Sequence, residues 1–172
     1  MIRKAVGSDI QGVVQIYDDI LNLEAARKGK TGWVKGIFPS EKSAMAALED
    51  DELYVMEQEG KIVASARINH TQVPAYAKAQ WKCTAPDEEI MVMHTLSIAP
   101  EESRKGYATA FVKYCEALAA EKGCKSLRMD ANEINTPARN LYTKLGYKEA
   151  GIVFCNFNGI KDVRLVCMEK DI

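Results

Sequence analysis

The residues with the clearest chemical potential lie between Ile90 and Leu118, in the run IMVMHTLSIAPEESRKGYATAFVKYCEAL. Arg104 and Lys105 put two cations directly before Gly106, at the entry to a predicted helix. The first N–H groups of a helix have no intrahelical acceptors, and the helix dipole adds partial positive charge at the same end. A glycine there lets a phosphate approach the main chain with no Cβ in the way. Anion binding is the chemistry this arrangement suits. An ordinary strand-to-helix turn has the same composition, so the loop alone does not separate the two. His94 interrupts the apolar part of the run, and an unperturbed imidazole titrates near neutral pH. It reads equally as a proton acceptor and as a core histidine hydrogen-bonded within a sheet.

Positioning these groups needs a buried strand and an amphipathic helix. Ile90 to Ile98 is apolar on both faces except for His94, Thr95 and Ser97, which suits the centre of a sheet. Pro100 has no N–H to continue a ladder and ends the strand. Ala108, Phe111, Val112, Cys115, Leu118 and Ala119 form the buried stripe of the helix that follows, and Gly123 closes it. Upstream, Met1 to Val6 reads as a strand. Ser8 is the expected N-cap of a helix from Asp9 to about Arg27, with Ile10, Val13, Val14, Tyr17, Ile20 and Leu21 inward. Lys28 to Pro39 is a glycine-rich loop carrying Trp33, Ile37 and Phe38, suited either to lining a pocket or to packing on the core. Ser40 caps a short helix from Glu41 to about Glu49. Leu53–Gln58 and Lys61–Asn69 form a hairpin around Gly60. Thr71 to Asp87 has no clear period, although PAYAKAQW allows a helical turn.

Downstream, Lys125 to Ala131 is a strand with Leu127, Met129 and Ala131 on one face. Thr136 and Pro137 read as the N-cap and first turn of a helix running to about Leu145. Tyr147–Cys155 and Val163–Glu169 are two more strands, joined by a loop containing Asn156 to Gly159. The expected architecture is one mixed α/β domain over residues 1–172, in the order β-α-α-β-β-β-α-β-α-β-β.

Composition narrows the function classes. The 172 residues are 47% hydrophobic with a formal net charge of −1, so one domain can bury a core and no global basic field attracts nucleic acid or an anionic membrane. No stretch reaches the roughly 18–20 consecutive apolar residues of a spanning helix, and the start has no signal-peptide apolar region. The five cysteines form no C-x-x-C pair. They read as free thiols of a reducing, cytoplasmic protein rather than as disulfides or zinc ligands. With two histidines and no H-E-x-x-H pattern, no metal site is expected.

Two motifs carry a resemblance. The loop SRKGYA, ahead of its helix, is similar to the Q/R-x-x-G-x-G/A phosphate loop of the GNAT superfamily of acetyl-CoA-dependent N-acetyltransferases. Ser103 departs from it, standing where the family has Gln or Arg. The segment NTPARNLYTKLGY matches the family signature N-x-x-A-x-x-L-Y-x-K-x-G-F/Y at Asn135, Ala138, Leu141, Tyr142, Lys144, Gly146 and Tyr147. Together with the order of elements, the resemblance covers nearly the whole chain.

It implies a central strand that splays from its neighbour, with acetyl-CoA lying in the gap. The backbone of Leu96, Ser97 and Ile98 would pair with the pantetheine arm. The loop of Ser103, Arg104, Lys105, Gly106, Tyr107, Ala108 and Thr109 would hold the pyrophosphate. Asn135 and Ala138 would contact the arm, and Tyr142 would protonate the departing thiolate. His94 is the implied base, by its likeness to a histidine of arylalkylamine N-acetyltransferases. Glu88, Glu89 and His70 are weaker candidates. The implied reaction is direct acetyl transfer to a small-molecule primary amine, partly apolar because Trp33, Phe38, Tyr76 and Trp81 fall in the acceptor regions. Alternatives are a protein or peptide amine as acceptor, or an acyl-CoA-binding module without turnover. A homodimer is compatible with the family.

Overall fold

A computed structural model describes residues 1–172. Seven strands form one sheet: β1 (Ile2–Lys4), β2 (Leu53–Gln58), β3 (Lys61–Asn69), β4 (Ile90–Ile98), β5 (Ser126–Asn132), β6 (Lys148–Phe157) and β7 (Ile160–Asp171). Their spatial order is β1-β2-β3-β4-β5-β7-β6, and every neighbouring pair is antiparallel except β4 and β5. Four helices cover it: α1 (Ile10–Ala25), α2 (Glu41–Glu49), α3 (Tyr107–Glu121) and α4 (Thr136–Lys144). The order of elements is the expected one. No helix is long and apolar enough to cross a membrane.

The alternation of side chains along each strand divides the core in two. On one face Phe111, Val112 and Cys115 of α3 and Tyr142 of α4 pack with Met91, Met129, Val166 and Met168 of the sheet. On the other, α1 and α2 bring Ile10, Val13, Tyr17, Ala44 and Ala47 onto Leu53 and Val55. The rest of that face is covered by residues 71–87, whose Tyr76 and Trp81 pack with Val92, Leu165 and Cys167. This aperiodic segment does so through a short 3-10 turn at Pro74–Lys78.

Three local expectations are corrected. Ser8 makes no capping bond and lies in a 3-10 turn, Gly7–Asp9, ahead of α1. Asp9 organises that corner instead: its carboxylate accepts the Val6 N–H at 2.8 Å and pairs with Arg3. The N-cap of α4 is Asn135 rather than Thr136, because the Asn135 side chain reaches the Ala138 N–H. The loop expected after Cys155 is a tight turn, since Asn158 (φ +52°) and Gly159 (φ +79°) both adopt left-handed backbone, the geometry of a two-residue hairpin. Both flanking strands are accordingly longer than expected. On α4, Tyr142 itself is the buried residue, with Leu141 and Leu145 only partly covered.

The feature that positions a site is the parting of β4 from β5. Their register covers only Ile90–Ser126, Met91–Leu127 and Val92–Arg128. Beyond Val92, β4 keeps β3 as its neighbour and β5 keeps β7, and a gap opens between them. Thr95 marks the change, with φ +55° and a register shift against β3 between Ser65 and Arg67. A β-branched residue at positive φ is strained by about 1–3 kcal/mol. Replacing it with glycine should therefore be neutral or stabilising by up to about 1 kcal/mol. Met91→Gly, at a buried position of ordinary strand backbone, should lose about 2–5 kcal/mol or more. Urea denaturation of the two variants measures the contrast.

Candidate active site

The chain leaves β4 at Ile98, passes a 3-10 turn at Pro100–Glu102 and enters α3 at Tyr107. Arg104 (φ +67°) and Gly106 (φ +85°) are both left-handed, so the loop curls its amides outward. None of the N–H groups from Arg104 to Thr109 has a backbone acceptor; the first helical bond is Ala110 N–H to Gly106 C=O. Six adjacent unpaired donors at a helix start form a concave anion site. A Cβ at Gly106 would meet nothing within 4 Å, so glycine is required there for its backbone angle rather than for space. Lys105 is paired with Glu102 at 2.8 Å, whereas Arg104 has no ion-pair partner.

The gap between β4 and β5 opens into a cleft of about 260 Å³. Its walls include His94, Thr95 and Leu96 of β4, Asp130 to Asn132 of β5, and Asn135, Ala138 and Tyr142 at α4. The α1–α2 loop and the β6–β7 hairpin roof it. Glu24 pins that loop by accepting the Thr31 N–H and hydroxyl at 2.6 and 2.7 Å. Trp33 then stacks edge-on to Phe38, their centroids 6.1 Å apart, and both face the cleft. The loop touches β5 where Gly32 meets Asn132. It also reaches the hairpin tip, where a Cβ on Gly159 would lie 3.1 Å from Ile37.

The central part of the chain, residues 17–147, matches the model of the acetyltransferase (GNAT) family. The chain belongs to this family. Solved structures of the same fold include a GNAT-family acetyltransferase from Streptococcus agalactiae, 17% identical with a TM-score of 0.81 over 100% of this chain and 95% of that one. YncA of Salmonella typhimurium, solved with its cofactor acetyl-CoA, is 15% identical with a TM-score of 0.69 over 99% and 92%. The ribosomal-protein-S18-alanine N-acetyltransferase of Escherichia coli is 16% identical with a TM-score of 0.70 over 100% and 93%. No curated protein matches the chain. The protein is thus a GNAT-family acetyltransferase, and its cleft can be read as one.

Of the residues expected at a GNAT site, His94, Leu96, Asn135, Ala138 and Tyr142 meet in the cleft. Ser103 to Thr109 lie together in the loop beyond β4. Ser97 is buried against Ser65, their hydroxyls 3.3 Å apart. Three weaker candidates lie elsewhere. Glu88 and Glu89 are in an exposed 3-10 turn at the far end of β4, and a ring nitrogen of His70 lies 3.0 Å from the Ile90 carbonyl. Tyr142 is 5% exposed and nothing in the protein hydrogen-bonds its hydroxyl. Burial, with the field of Asp130, holds its phenol well above the ordinary value, so the proton stays on.

The acetyltransferase holds His94 in a network. Asn69 Oδ1 accepts the Thr71 N–H at 2.9 Å, while its amide nitrogen donates to Glu52 at 2.8 Å. With the amide fixed, His94 Nε2, 2.9 Å from the same oxygen, must be the protonated nitrogen. Burial first, then the positive charge of Arg67, pull the imidazole down to about 4, against the opposing pull of Glu52. His94 is therefore neutral at pH 7 and a weak base.

Two groups that the motifs do not mark also face the cleft. Asp130 extends from β5 and takes a hydrogen bond from the buried Tyr76 hydroxyl at 2.7 Å. Its signal in the sequence is a lone carboxylate inside the otherwise apolar stretch Met129–Ala131. Arg67 lies on β3 beside His94, with its guanidinium held by Glu52 at 2.6 Å and Asp50 at 2.7 Å.

The His94 shift has a thermodynamic consequence. Its folded pKa of about 4 lies below the ordinary 6.5, so the unfolded chain binds more protons between those values. Its contribution to stability is complete above about pH 6.5 and is lost as pH falls towards 4. Asp130 acts in the opposite sense, so the difference between wild type and His94→Gln isolates the term. The variant should lose less stability than wild type between pH 6.5 and pH 4.5, measured by urea unfolding across that range.

Proposed function

We propose that the protein transfers the acetyl group of acetyl-CoA to the primary amine of a small molecule by direct attack of the amine on the thioester. The observation that carries this reading is the gap between β4 and β5, with six unpaired amides at its end and the phenol of Tyr142 in its wall. The residues fit the donor. The amides from Arg104 to Thr109 would hold the pyrophosphate, with Arg104 as the free cation. The gap-facing backbone of Leu96, Ser97 and Ile98 would pair with the pantetheine arm. Asn135 spends its oxygen on the Ala138 N–H, which leaves its amide protons for the same arm.

Acetyl-CoA supplies an activated acetyl group whose leaving atom is a thiolate sulfur. Tyr142 supplies the proton for that sulfur from its phenolic oxygen, which burial keeps protonated. Direct attack is favoured because no cysteine lines the cleft. Burial also pushes the Cys115 and Cys167 thiols up to about 12, which removes them as nucleophiles at neutral pH.

A small acceptor is favoured by the roof over the cleft. The α1–α2 loop meets both Asn132 and the β6–β7 hairpin tip, so a chain-like acceptor would have to part that contact. Trp33, Phe38 and Phe157 give the cleft apolar surface for the body of such a molecule.

A screen of small amines and short peptides with acetyl-CoA, read by thiol release, tests the reading. Turnover of small amines is the expected result; a peptide used better than all of them would overturn the acceptor assignment. Acetyl-CoA at about a hundred times its Kd should stabilise the wild type by about 2.7 kcal/mol. Gly106→Val should fold and lose that shift, because valine cannot hold the left-handed backbone that aims the amides. Tyr142→Phe should bind acetyl-CoA within a few-fold of wild type and lose about 10²-fold or more in turnover. That loss should fall on kcat rather than KM, because the bond strengthens only as sulfur gains charge.

A further inference from the structure

Among the residues lining the cleft, Asp130 is the one carboxylate and Arg67 the one cation. Arg67 is already neutralised by Glu52 and Asp50, and His94 is uncharged. The cleft therefore has one uncompensated place for a charge, and it favours a cation. Asp130 is also well placed for the reaction. The last β4–β5 pair is Val92–Arg128, and two residues further along each strand stand His94 and Asp130. Both stay on the face of Val92, opposite α3 and α4, and they flank the gap where it opens. Tyr142 approaches the same gap from the α4 side, close enough for its phenol to feel the Asp130 charge.

The carboxyl itself is half-satisfied. One oxygen, Oδ2, accepts from Tyr76 at 2.7 Å, and no other protein hydrogen bond reaches the group. Tyr76 is 1% exposed and wedged against Trp81, with ring centroids 5.0 Å apart, so it is a rigid support. A carboxylate taken this far into a protein with a single neutral partner is expected to be completed by a ligand.

Building on acetyl transfer to a small amine, we propose that Asp130 is the acceptor's anchor and general base: its free oxygen receives the substrate ammonium and then takes its proton, while Tyr76 holds the carboxylate towards the cleft. An ammonium beside a carboxylate in a half-dry cleft is a strong, charge-assisted pair. The proton balance is complete. The ammonium carries three protons, and the amide product keeps one. One passes to Asp130 and on to solvent, freeing the nitrogen lone pair that forms the N–C bond. The C–S bonding electrons leave on sulfur, which takes the proton of Tyr142, and the last nitrogen proton restores the phenol.

Burial raises Asp130 to about 6, with Tyr76 pulling it back down. That makes it a better base than an exposed carboxylate while leaving it ionised at neutral pH. The other titratable groups coupled to it are Tyr142 from α4, Cys167 from β7 and Cys155 from β6, while Arg128 on its own strand acts on Tyr76 and Cys167. Of these only Arg128 is charged near pH 7.

The test uses the full chain, acetyl-CoA and 2-phenylethylamine, with the other amines of the screen as replacements. Wild-type kcat/KM, which reports the free enzyme, should rise through a limb near 6 as Asp130 ionises. Asp130→Asn should lose about 10²–10⁴-fold at pH 7 and show no limb near 6, and activity should recover as pH approaches the amine's own pKa. Tyr76→Phe keeps the ring and removes the donor, so its limb should move to higher pH with the plateau largely retained. Carboxyl NMR of the protein without substrates gives a reading independent of turnover: one aspartate titrating near 6, absent in Asp130→Asn and shifted upward in Tyr76→Phe. An Asp130→Asn enzyme that folds and keeps both its activity and the limb would overturn the proposal while leaving acetyl transfer standing. A wild type that acetylates none of the amines would overturn both.

Discussion

Everything in this molecule that bears on chemistry follows from the end of the β4–β5 ladder. Backbone N–H and C=O groups are obligatory hydrogen-bonding groups, and a central strand normally spends them on both neighbours. Here β4 keeps β3 throughout but has β5 for only three residue pairs. The open side of β4 beyond Val92 is then an unfinished sheet edge in the middle of the protein, ready for an extended polar ligand. Thr95, held at positive φ, is where β4 turns away. The strain is tolerable because β3 on one side and the packed α3 on the other fix the strand in place.

The gap also connects two surfaces that a closed sheet would keep apart. The loop ahead of α3 and the phenol of Tyr142 approach from one face, while His94, Asp130, Arg67 and the roof of the cleft belong to the other. An acyl donor held by one face can therefore meet an acceptor held by the other only at the opening. Proximity of this kind is worth several kcal/mol of barrier before any proton moves.

What was legible in the sequence was what depends on local pattern. The two-sided apolar run of β4, the stripe of α3 and the glycine-led helix start all follow from spacing, and the family motifs lie on them. What was not legible depends on partners remote in the chain. Leu127, Met129 and Ala131 could be read as the inner face of β5, which left Arg128 and Asp130 to look like a solvent face. They are covered by Tyr76 and Trp81, with Arg128 stacked 4.1 Å over the Trp81 ring. Those aromatics come from residues 71–87, a segment with no period to announce where it packs. His94 was visible as an interruption, but its weak basicity was not, because that comes first from its burial and then from Arg67. The Asn158–Gly159 pair is itself a hairpin signal; what the sequence hid is how far β6 and β7 stay paired on either side of it.

One environment acts differently on the three titratable side chains at the gap, Tyr142, His94 and Asp130. Burial disfavours whichever form is charged. For a phenol that form is the anion, so Tyr142 holds its proton more tightly and stays protonated at neutral pH. For an imidazole the charged form is the cation, so His94 is driven to neutrality and loses strength as a base. For a carboxyl it is again the anion, so Asp130 gains basicity, and the Tyr76 hydrogen bond keeps the gain small enough for the group to be ionised at neutral pH. The same low dielectric thus weakens the histidine that the resemblance singles out and strengthens the aspartate on the neighbouring strand. His94 is left with its proton on Nε2, donating to Asn69, and so helps to hold the wall across which Asp130 and Tyr142 face the gap.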